Sequence, residues 1–481
     1  VSGRPGNARP ASAGPSAALH PSILREYDIR GIVGDTLTEA DAHAIGRAYA
    51  TLIGEEFAQP RIVLGQDGRL SSPRMRAALA EGLAAAGARV IAIGRGPSPM
   101  LYFAVHHLEA DAGIMVTGSH NPPDHNGFKM MRSPRAAGGS SFFGAAIQEL
   151  GRRIAAGELA TGSGTVEEHP VFDAYVDRLL RDIAPARPLN VGWDPGNGAT
   201  GEVVAAVTAR LPGRHLLLNA EIDGTFPAHH PDPTVPANLR QLQDLVAREG
   251  LDMGFAFDGD GDRIGVIDAG GAIVWGDQLL ALLARPILAA QPGAAIIADV
   301  KASDVLFKEI ARLGGRPVMW KTGHSLVKQK MAEERSPLAG EMSGHIFFAD
   351  GYYGFDDAVY VALRFLAQVA GGGESVTDLR LSLPQPANTP ELRFPCDDAE
   401  KFAVVDRLRD RLREQGAMVS DIDGVRVTLP DGWWLLRASN TQAVLVARCE
   451  AGDPAALKRV RAAMEAALAE VGISLPADLR G

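Results

Sequence analysis

From Arg61 onward, short apolar runs alternate with stretches of helical period. Ile62-Val63-Leu64 predicts a buried strand that ends at Gly65-Gln66-Asp67-Gly68-Arg69. Ser71-Ser72-Pro73 then opens a helix, with a polar cap and a proline in its first turn, and the helical period lasts to Gly87. Val90 to Ile93 predicts a second strand and Gly113 to Val116 a third, which runs straight into Ser119. The rhythm returns twice. Strands at Asn190 to Trp193 and Met253 to Phe257 end at Asp194-Pro195-Gly196-Asn197-Gly198 and at Asp258-Gly259-Asp260-Gly261-Asp262-Arg263. Strands near Ala295 to Ala298 and Pro317 to Trp320 end at Lys301 and at Lys321-Thr322-Gly323-His324. Such alternation indicates parallel sheets in α/β units, where ligands gather outside the carboxyl ends of the strands.

After Pro384-Gln385-Pro386 the pattern becomes strand, helix, closely spaced strands and a last helix from about Pro454 to Gly472, a separate α+β unit. A chain of 481 residues is too long for one ordinary core. Boundaries fall near residues 163, 272 and 385, giving domains over 21–163, 164–272, 273–385 and 386–481. The first 20 residues, rich in Pro, Gly, Ala and Ser, predict a disordered arm, without the apolar stretch of a signal peptide.

Composition narrows the function classes. A net charge of −10 and an aromatic content of 6% set nucleic-acid binding aside. The longest apolar run, Leu279 to Ala290, is broken by Arg285 and Pro286, so no membrane span is expected. Cys396 and Cys449 have no metal-type spacing, which argues against a disulfide framework or zinc site and for a reducing cytoplasm. Nothing suggests a coiled coil or an apolar interface, so a monomer is expected.

Four short segments carry candidate chemistry. In Thr117-Gly118-Ser119-His120-Asn121-Pro122, a serine beside His120 suggests a nucleophile, but the flanks do not match the Gly-x-Ser-x-Gly elbow of hydrolases. Its glycine and asparagine suit a tight turn with N–H groups facing an anion; an ordinary turn with a solvent-facing serine is the competing reading. Asp258, Asp260 and Asp262 alternate with glycines, and in extended chain their carboxylates converge on one hard divalent cation. An EF-hand is excluded: counting from Asp258, position 6 is Arg263 and position 12 is Ala269. Gly340-Glu341-Met342-Ser343-Gly344-His345, if extended, turns Glu341, Ser343 and His345 to one side as a row for sugar hydroxyls and points Met342 inward. Arg437-Ala438-Ser439-Asn440-Thr441-Gln442 combines a guanidinium, hydroxyls and an amide suited to wrapping a phosphate, with Arg448 on the next strand to join it.

Together these segments resemble the α-D-phosphohexomutase family, in its bacterial phosphomannomutase/phosphoglucomutase branch, from Tyr27-Asp28-Ile29-Arg30-Gly31 to Arg448. The resemblance implies four domains around a central cleft: three related α/β domains and a smaller C-terminal α+β domain. It implies that Ser119 is phosphorylated in the active enzyme and binds Mg²⁺ together with Asp258, Asp260 and Asp262. Carried over by position, Glu341 and Ser343 hold sugar hydroxyls, and Arg437, Ser439, Asn440 and Thr441 hold the non-reacting phosphate. Tyr27, Arg30, Lys129, Arg263, Lys301, His324 and His345 match polar positions of the family's cleft; Lys129, Arg30 and His345 are the acid–base candidates. Arg69 and Arg263 are supporting. Gln66 departs from the pattern, since relatives often carry Arg before Asp67-Gly68-Arg69, which puts a supporting salt bridge in question.

The implied reaction interconverts hexose 1- and 6-phosphates through a phosphoserine and a hexose 1,6-bisphosphate. Met342 points to mannose and glucose, because glucosamine-phosphate mutases typically have Gln there. The alternatives are a phosphoglucosamine mutase, a metal-dependent sugar phosphatase and a non-catalytic sugar-phosphate binder.

Overall fold

The computed structural model describes residues 18–136, 139–476 and 479. The strands expected from the apolar runs form, Met253–Phe257 as expected and the others somewhat longer: Arg61–Gln66, Arg89–Arg95, Ala112–Val116, Leu189–Asp194, Ala295–Asp299 and Arg316–Trp320. The expected helices are Ser72–Ala85 and Pro454–Glu470. Ser71 stands at the first cap position but makes no side-chain cap bond; its hydroxyl accepts from Asn126 instead. Most of the arm predicted over the first 20 residues lies outside the described residues. Its end does not fit the expectation: Leu19 is buried, and the His20 side chain caps the 3-10 turn Pro21–Ile23.

Three sheets repeat one plan. In each, a central strand lies between two parallel neighbours, and one neighbour continues into an antiparallel hairpin. The central strands are Arg61–Gln66, Leu189–Asp194 and Ala295–Asp299. The hairpin-forming neighbours are Ala112–Val116, Met253–Phe257 and Leu338–Gly340. The loops after these three strands are the Ser119, Asp258–Asp262 and Glu341–His345 segments. Repetition of one fold therefore brings three chemically different loops to equivalent places. The first sheet takes its last strand from Thr165–Glu168, and the second its edge strand from Ile273–Val274.

The fourth sheet is antiparallel, with Val444–Ala451 and Gly432–Ala438 at its centre and helices Lys401–Glu414 and Pro454–Glu470 packed on it. One continuous apolar core runs through the first three units, from Val63 through Trp193 to Phe355, whereas the fourth has its own around Trp434 and Leu408. Trp433 and Leu435 dock the fourth unit on Val300. The run Leu279 to Ala290 is the C-terminal part of helix Gly276–Ala290, which carries Pro286 inside it. No helix among the described residues is long and apolar enough to cross a membrane. Both cysteines are free.

Asp357 ties the second and third units together. Its carboxylate caps helix Ala358–Gly371 at the Tyr360 N–H and accepts from the hydroxyls of Tyr175 and Tyr352, each at 2.8 Å. Asp357→Ala removes the cap and strands two buried hydroxyls, so it is expected to cost about 2–4 kcal/mol. Urea unfolding should show the lowered midpoint, with Asp357→Asn intermediate.

Candidate active site

Ser119 sits on a turn that the chain adopts under strain, with φ of 48° at a non-glycine residue. Arg69 explains how that turn is held. Its guanidinium is 1% exposed and donates to four carbonyls: Ser119, Asn121, Pro122 and His125. A Cβ on Gly118 would collide with this guanidinium, so glycine is required there. Asp67 completes the support, accepting from the Arg69 and Gly118 N–H groups and pairing with Arg69 Nε at 3.3 Å. Gln66 carries no charge to form the ion pair that an Arg would make there, and the ion pair in this stretch joins Arg69 to Asp67. Arg30, locked to Asp28, adds bonds to Gly118 O and Asn121 Oδ1.

The Ser119 hydroxyl is buried and donates to Asp258 Oδ2 at 3.0 Å, with His120 Nδ1 3.1 Å away. Burial, then Arg263 and Arg30, hold the His120 imidazole well below its ordinary pKa, so it is neutral. Asp258, Asp260 and Asp262 offer oxygens within 4.8 Å of one another. They converge differently from the extended alternation expected. The segment is a tight turn in which Asp258 Oδ1 accepts the N–H groups of Gly261, Asp262 and Arg263. Asp260 Oδ1 and Asp262 Oδ1 are buried without a hydrogen-bond partner. Burial, followed by Asp262 and Asp260, raises the Asp258 carboxyl far above the usual range. An all-oxygen, over-negative cluster with orphaned atoms fits a hard divalent cation.

Lys129 meets this charge from the first unit, donating to Asp260 Oδ2 at 2.6 Å and to Asp262 Oδ2. Burial pulls the ammonium pKa down, but the two aspartates outweigh it and hold Lys129 protonated. Ser98, also from the first unit, donates to Asp260.

In the third unit the Glu341–His345 segment is also a turn, closed by Gly344 N–H to Glu341 O, with Gly344 at φ 91°. The expected one-sided row does not form. Glu341 accepts from the Gly323 N–H at 2.6 Å and from Ser343 Oγ at 3.1 Å. His345 turns away toward Arg263, which donates to its Nε2 at 2.9 Å. Its Nδ1 lies 3.0 Å from Asp356 Oδ2, without the alignment of a hydrogen bond. Met342 is half-buried and meets Arg448 rather than pointing into the core. Arg448 reaches Lys301 O and Met342, and lies 3.7 Å from Asp277 behind the turn; its bonds do not include the Arg437–Gln442 segment.

The Arg437–Gln442 segment reaches the first unit from the fourth. Arg437 pairs with Asp423 at 2.9 Å, Ser439 Oγ accepts from the Thr441 and Gln442 N–H groups, and Asn440 donates to Tyr27 OH. Tyr27 donates in turn to Thr322 O and lies edge-on to His324, which stacks on His345. Tyr27, in the first unit, therefore touches the third and the fourth. Lys301 donates to Glu391 at 2.7 Å and lies 3.6 Å from Asp299.

Sequence reasoning missed the carboxylates that hold these groups: Asp28, Asp67, Asp299, Asp356, Glu391 and Asp423. Two of them carried a signal. Asp67 and Asp299 end central strands, and each accepts an N–H two residues past the neighbouring strand, from Gly118 and Met342.

The chain matches the phosphoglucomutase/phosphomannomutase models along its whole order: α/β/α domain I over residues 21–157, domain II over 173–271, domain III over 275–387 and the C-terminal domain over 391–467. Three α/β/α units and an appended fourth, meeting over a serine and a carboxylate cluster, are the architecture of a phosphohexomutase. The chain belongs to the phosphoglucomutase/phosphomannomutase family. It is 43% identical to the phosphomannomutase/phosphoglucomutase of Pseudomonas aeruginosa, over 97% of this chain and 99% of that one. It is 40% identical to the phosphoglucomutase of Neisseria gonorrhoeae, over 92% and 96%. A crystal structure of a phosphoglucomutase/phosphomannomutase family protein from Burkholderia thailandensis superposes with a TM-score of 0.88 at 42% identity, covering 95% of this chain and 99% of that one.

Two outcomes follow from the geometry. Lysine has no fork to span four carbonyls, so Arg69→Lys should loosen the Ser119 turn and lower turnover by roughly 10- to 100-fold, measured by steady-state kinetics. His229 faces acceptors at both nitrogens, Asp194 Oδ2 at 2.8 Å and His230 O at 3.0 Å, which suits the imidazolium. Burial lowers its pKa, but the Asp194 pairing outweighs burial and the net shift is upward. A raised folded-state value means the pair's contribution is full below about pH 6.5 and is lost as pH rises through the folded value. The stability lost in His229→Gln should therefore be larger at about pH 6 than at about pH 9, measured by urea unfolding.

Proposed function

We propose that this chain interconverts the 1- and 6-phosphates of glucose and mannose, with Ser119 as the phosphoryl carrier. The observation that carries this reading is Ser119 Oγ at 3.0 Å from Asp258 in a buried cluster of three carboxylates, joined to the Arg437–Thr441 segment through the contacts of Asn440, Tyr27, His324 and His345. A monoester phosphatase needs no such second anion site, so the mutase reading is favoured over the phosphatase. The names of the relatives support glucose and mannose as the sugars, as does Met342.

Asp258, Asp260, Asp262 and the oxygens at Ser119 are the donors for Mg²⁺, which when bound supplies positive charge against the phosphoryl oxygens. Phosphoserine 119 would add about −1.5 to −2 charge beside these carboxylates. In the forward step the P–Oγ bond breaks, a P–O bond to the free sugar hydroxyl forms, and the proton that this hydroxyl loses is balanced by the one that Ser119 Oγ gains. The product is a hexose 1,6-bisphosphate, which turns over in the cleft and returns its other phosphoryl group to Ser119.

Lys129, with its proton held by Asp260 and Asp262, is the acid–base candidate nearest the cluster. Arg30, committed to Asp28 and the Ser119 turn, serves as fixed charge. His345, with Nε2 taken by Arg263, positions Arg263, and the neutral His120 accompanies the Ser119 hydroxyl. Arg437, Ser439, Asn440 and Thr441 receive the non-reacting phosphate, and Arg437 exchanges Asp423 for it. Tyr27, Lys301 and His324 line the same cleft; Arg69 supports from the first unit, and Arg448 supports Lys301 from behind. Glu341 and Ser343 grip the hydroxyls at C3 and C4, which exchange places when the sugar reverses, so the C2 configuration goes unread. The same reading carries the domain limits near residues 163, 272 and 385, a monomeric enzyme and a cytoplasmic location.

Ser119→Ala should abolish isomer formation, and intact mass before and after phosphatase treatment should show one phosphate mapping to Ser119. Retained activity in Ser119→Ala would sink the proposal. Galactose 1-phosphate, altered at C4, should turn over far more slowly than glucose 1-phosphate. Glucosamine 1-phosphate assayed alongside decides the sugar. Chelation should inactivate the enzyme, and calorimetry of Mg²⁺ addition in buffers of different ionisation heat should detect proton release as Asp258 ionises.

A further inference from the structure

A buried aspartate stands at the end of each central strand or directly after it, but Asp194 behaves differently from Asp67 and Asp299. Those two accept an N–H from the reactive loop beside them. Asp194 instead accepts from Gly196 and Asn219 through Oδ1, and pairs with His229 through Oδ2. The metal loop of the second unit is held by other means, and the segment that includes His229 accounts for them.

Residues 222–231 leave the second unit and lie across the first. Gly224 rests on the backbone of residues 68–70: a Cβ there would stand 2.6 Å from Arg69 Cα and 2.7 Å from Gly68 O. The Ile222 side chain fills the space that a Cβ on Gly68 would need. Phe226 then places its ring 5.1 Å from the Arg69 guanidinium carbon. Arg69 is thereby enclosed, with Gly118 on one side and an aromatic ring against it, while its four carbonyl bonds shape the Ser119 turn. The far end of the same segment returns to the metal loop. His229 and Pro231 pack on Gly196, Pro231 also lies against Gly259, and the Ala199 N–H donates to Gly259 O at 2.9 Å. Gly259 itself abuts Ser119 O so closely that no side chain fits there.

The backbone of the segment is strained where this matters. Phe226 has φ of 50°, and Asn219, at its base, 48°. A bulky residue held in the left-handed region is uncommon, and here the strain turns an aromatic ring onto a buried cation.

We propose that residues 222–231 form a brace between the first two units, and that Phe226 is a positioning residue for phosphoryl transfer: it seats Arg69 and so sets Ser119 against Asp258. The inference rests on Ser119 being the phosphoryl carrier. The brace contacts neither the Glu341–Ser343 turn nor the Arg437–Thr441 turn among the described residues. Its loss should therefore change the transfer step and leave sugar and distal-phosphate binding intact.

Four substitutions at Phe226 test this in the full-length, phosphorylated enzyme. Phe226→Ala removes the ring and keeps the strain, Phe226→Gly removes both, Phe226→Leu keeps apolar cover without a ring, and Phe226→Tyr keeps the ring. The first three should lower kcat about tenfold or more, with KM for glucose 1-phosphate within about twofold of the parent. Phe226→Tyr should restore kcat. Single-turnover loss of phosphate from Ser119 to glucose 1-phosphate should slow in parallel. Phe226→Gly relieves the backbone, so it tests the ring even if Phe226→Ala folds poorly. Parent-like kcat in Phe226→Gly and Phe226→Leu, or a loss carried by KM alone, would overturn the brace. A Ser119→Ala control separates the two failures: if it is inactive while the Phe226 variants are normal, only the brace is wrong.

Discussion

Negative charge buried beyond what its surroundings can neutralise is the constraint around which this molecule is arranged. Asp258, Asp260 and Asp262 lie within 4.8 Å of one another and are all fully buried. Left alone, such a cluster takes up protons, and Asp258 shows that tendency in its raised pKa. Lys129 offsets part of the charge from the neighbouring unit. The remaining charge is what a divalent cation fits. The cluster thus couples the first two units electrostatically. Weakening their contact would expose the imbalance.

Repetition supplies the scaffold for that chemistry. Three α/β units each deliver one loop from an equivalent strand end: a serine turn, a carboxylate turn and a Glu–Ser turn. Buried aspartates at the ends of the central strands brace two of these loops directly. In the second unit the aspartate is turned toward His229, and residues 222–231 span to Arg69. The unit holding the carboxylate cluster is therefore tied to the unit holding the serine. The fourth unit differs in architecture and has a separate core, and it meets the first unit through Asn440. Asn440 contacts Tyr27 across more than 400 residues of sequence.

The strands and their terminal motifs were legible because an α/β unit is written locally, in apolar runs of strand length followed by glycine and polar residues. Ser119, the three aspartates, Glu341 and Arg437 stood out as candidates because those motifs, taken together, carry them. The shapes of the loops were not legible. Alternation at every second residue suggested extended segments for Asp258–Asp262 and Glu341–His345, whereas both are turns closed by their own backbone hydrogen bonds. An alternating pattern cannot distinguish a strand from a glycine-containing turn when the segment is only five residues long.

The sequence by itself determined the class of fold, the order of its units and the residue types available for chemistry, since each is encoded within a dozen neighbouring positions. Only the tertiary structure decided which charges meet. Lys129 faces Asp260 and Asp262, Arg69 clasps four carbonyls beneath a phenylalanine from another unit, and Arg448 goes to Lys301 rather than to the Arg437–Gln442 turn. These pairings join residues tens to hundreds of positions apart. They depend on how twisted sheets stack and on which buried charges must find a partner, and neither is written in any local stretch of chain.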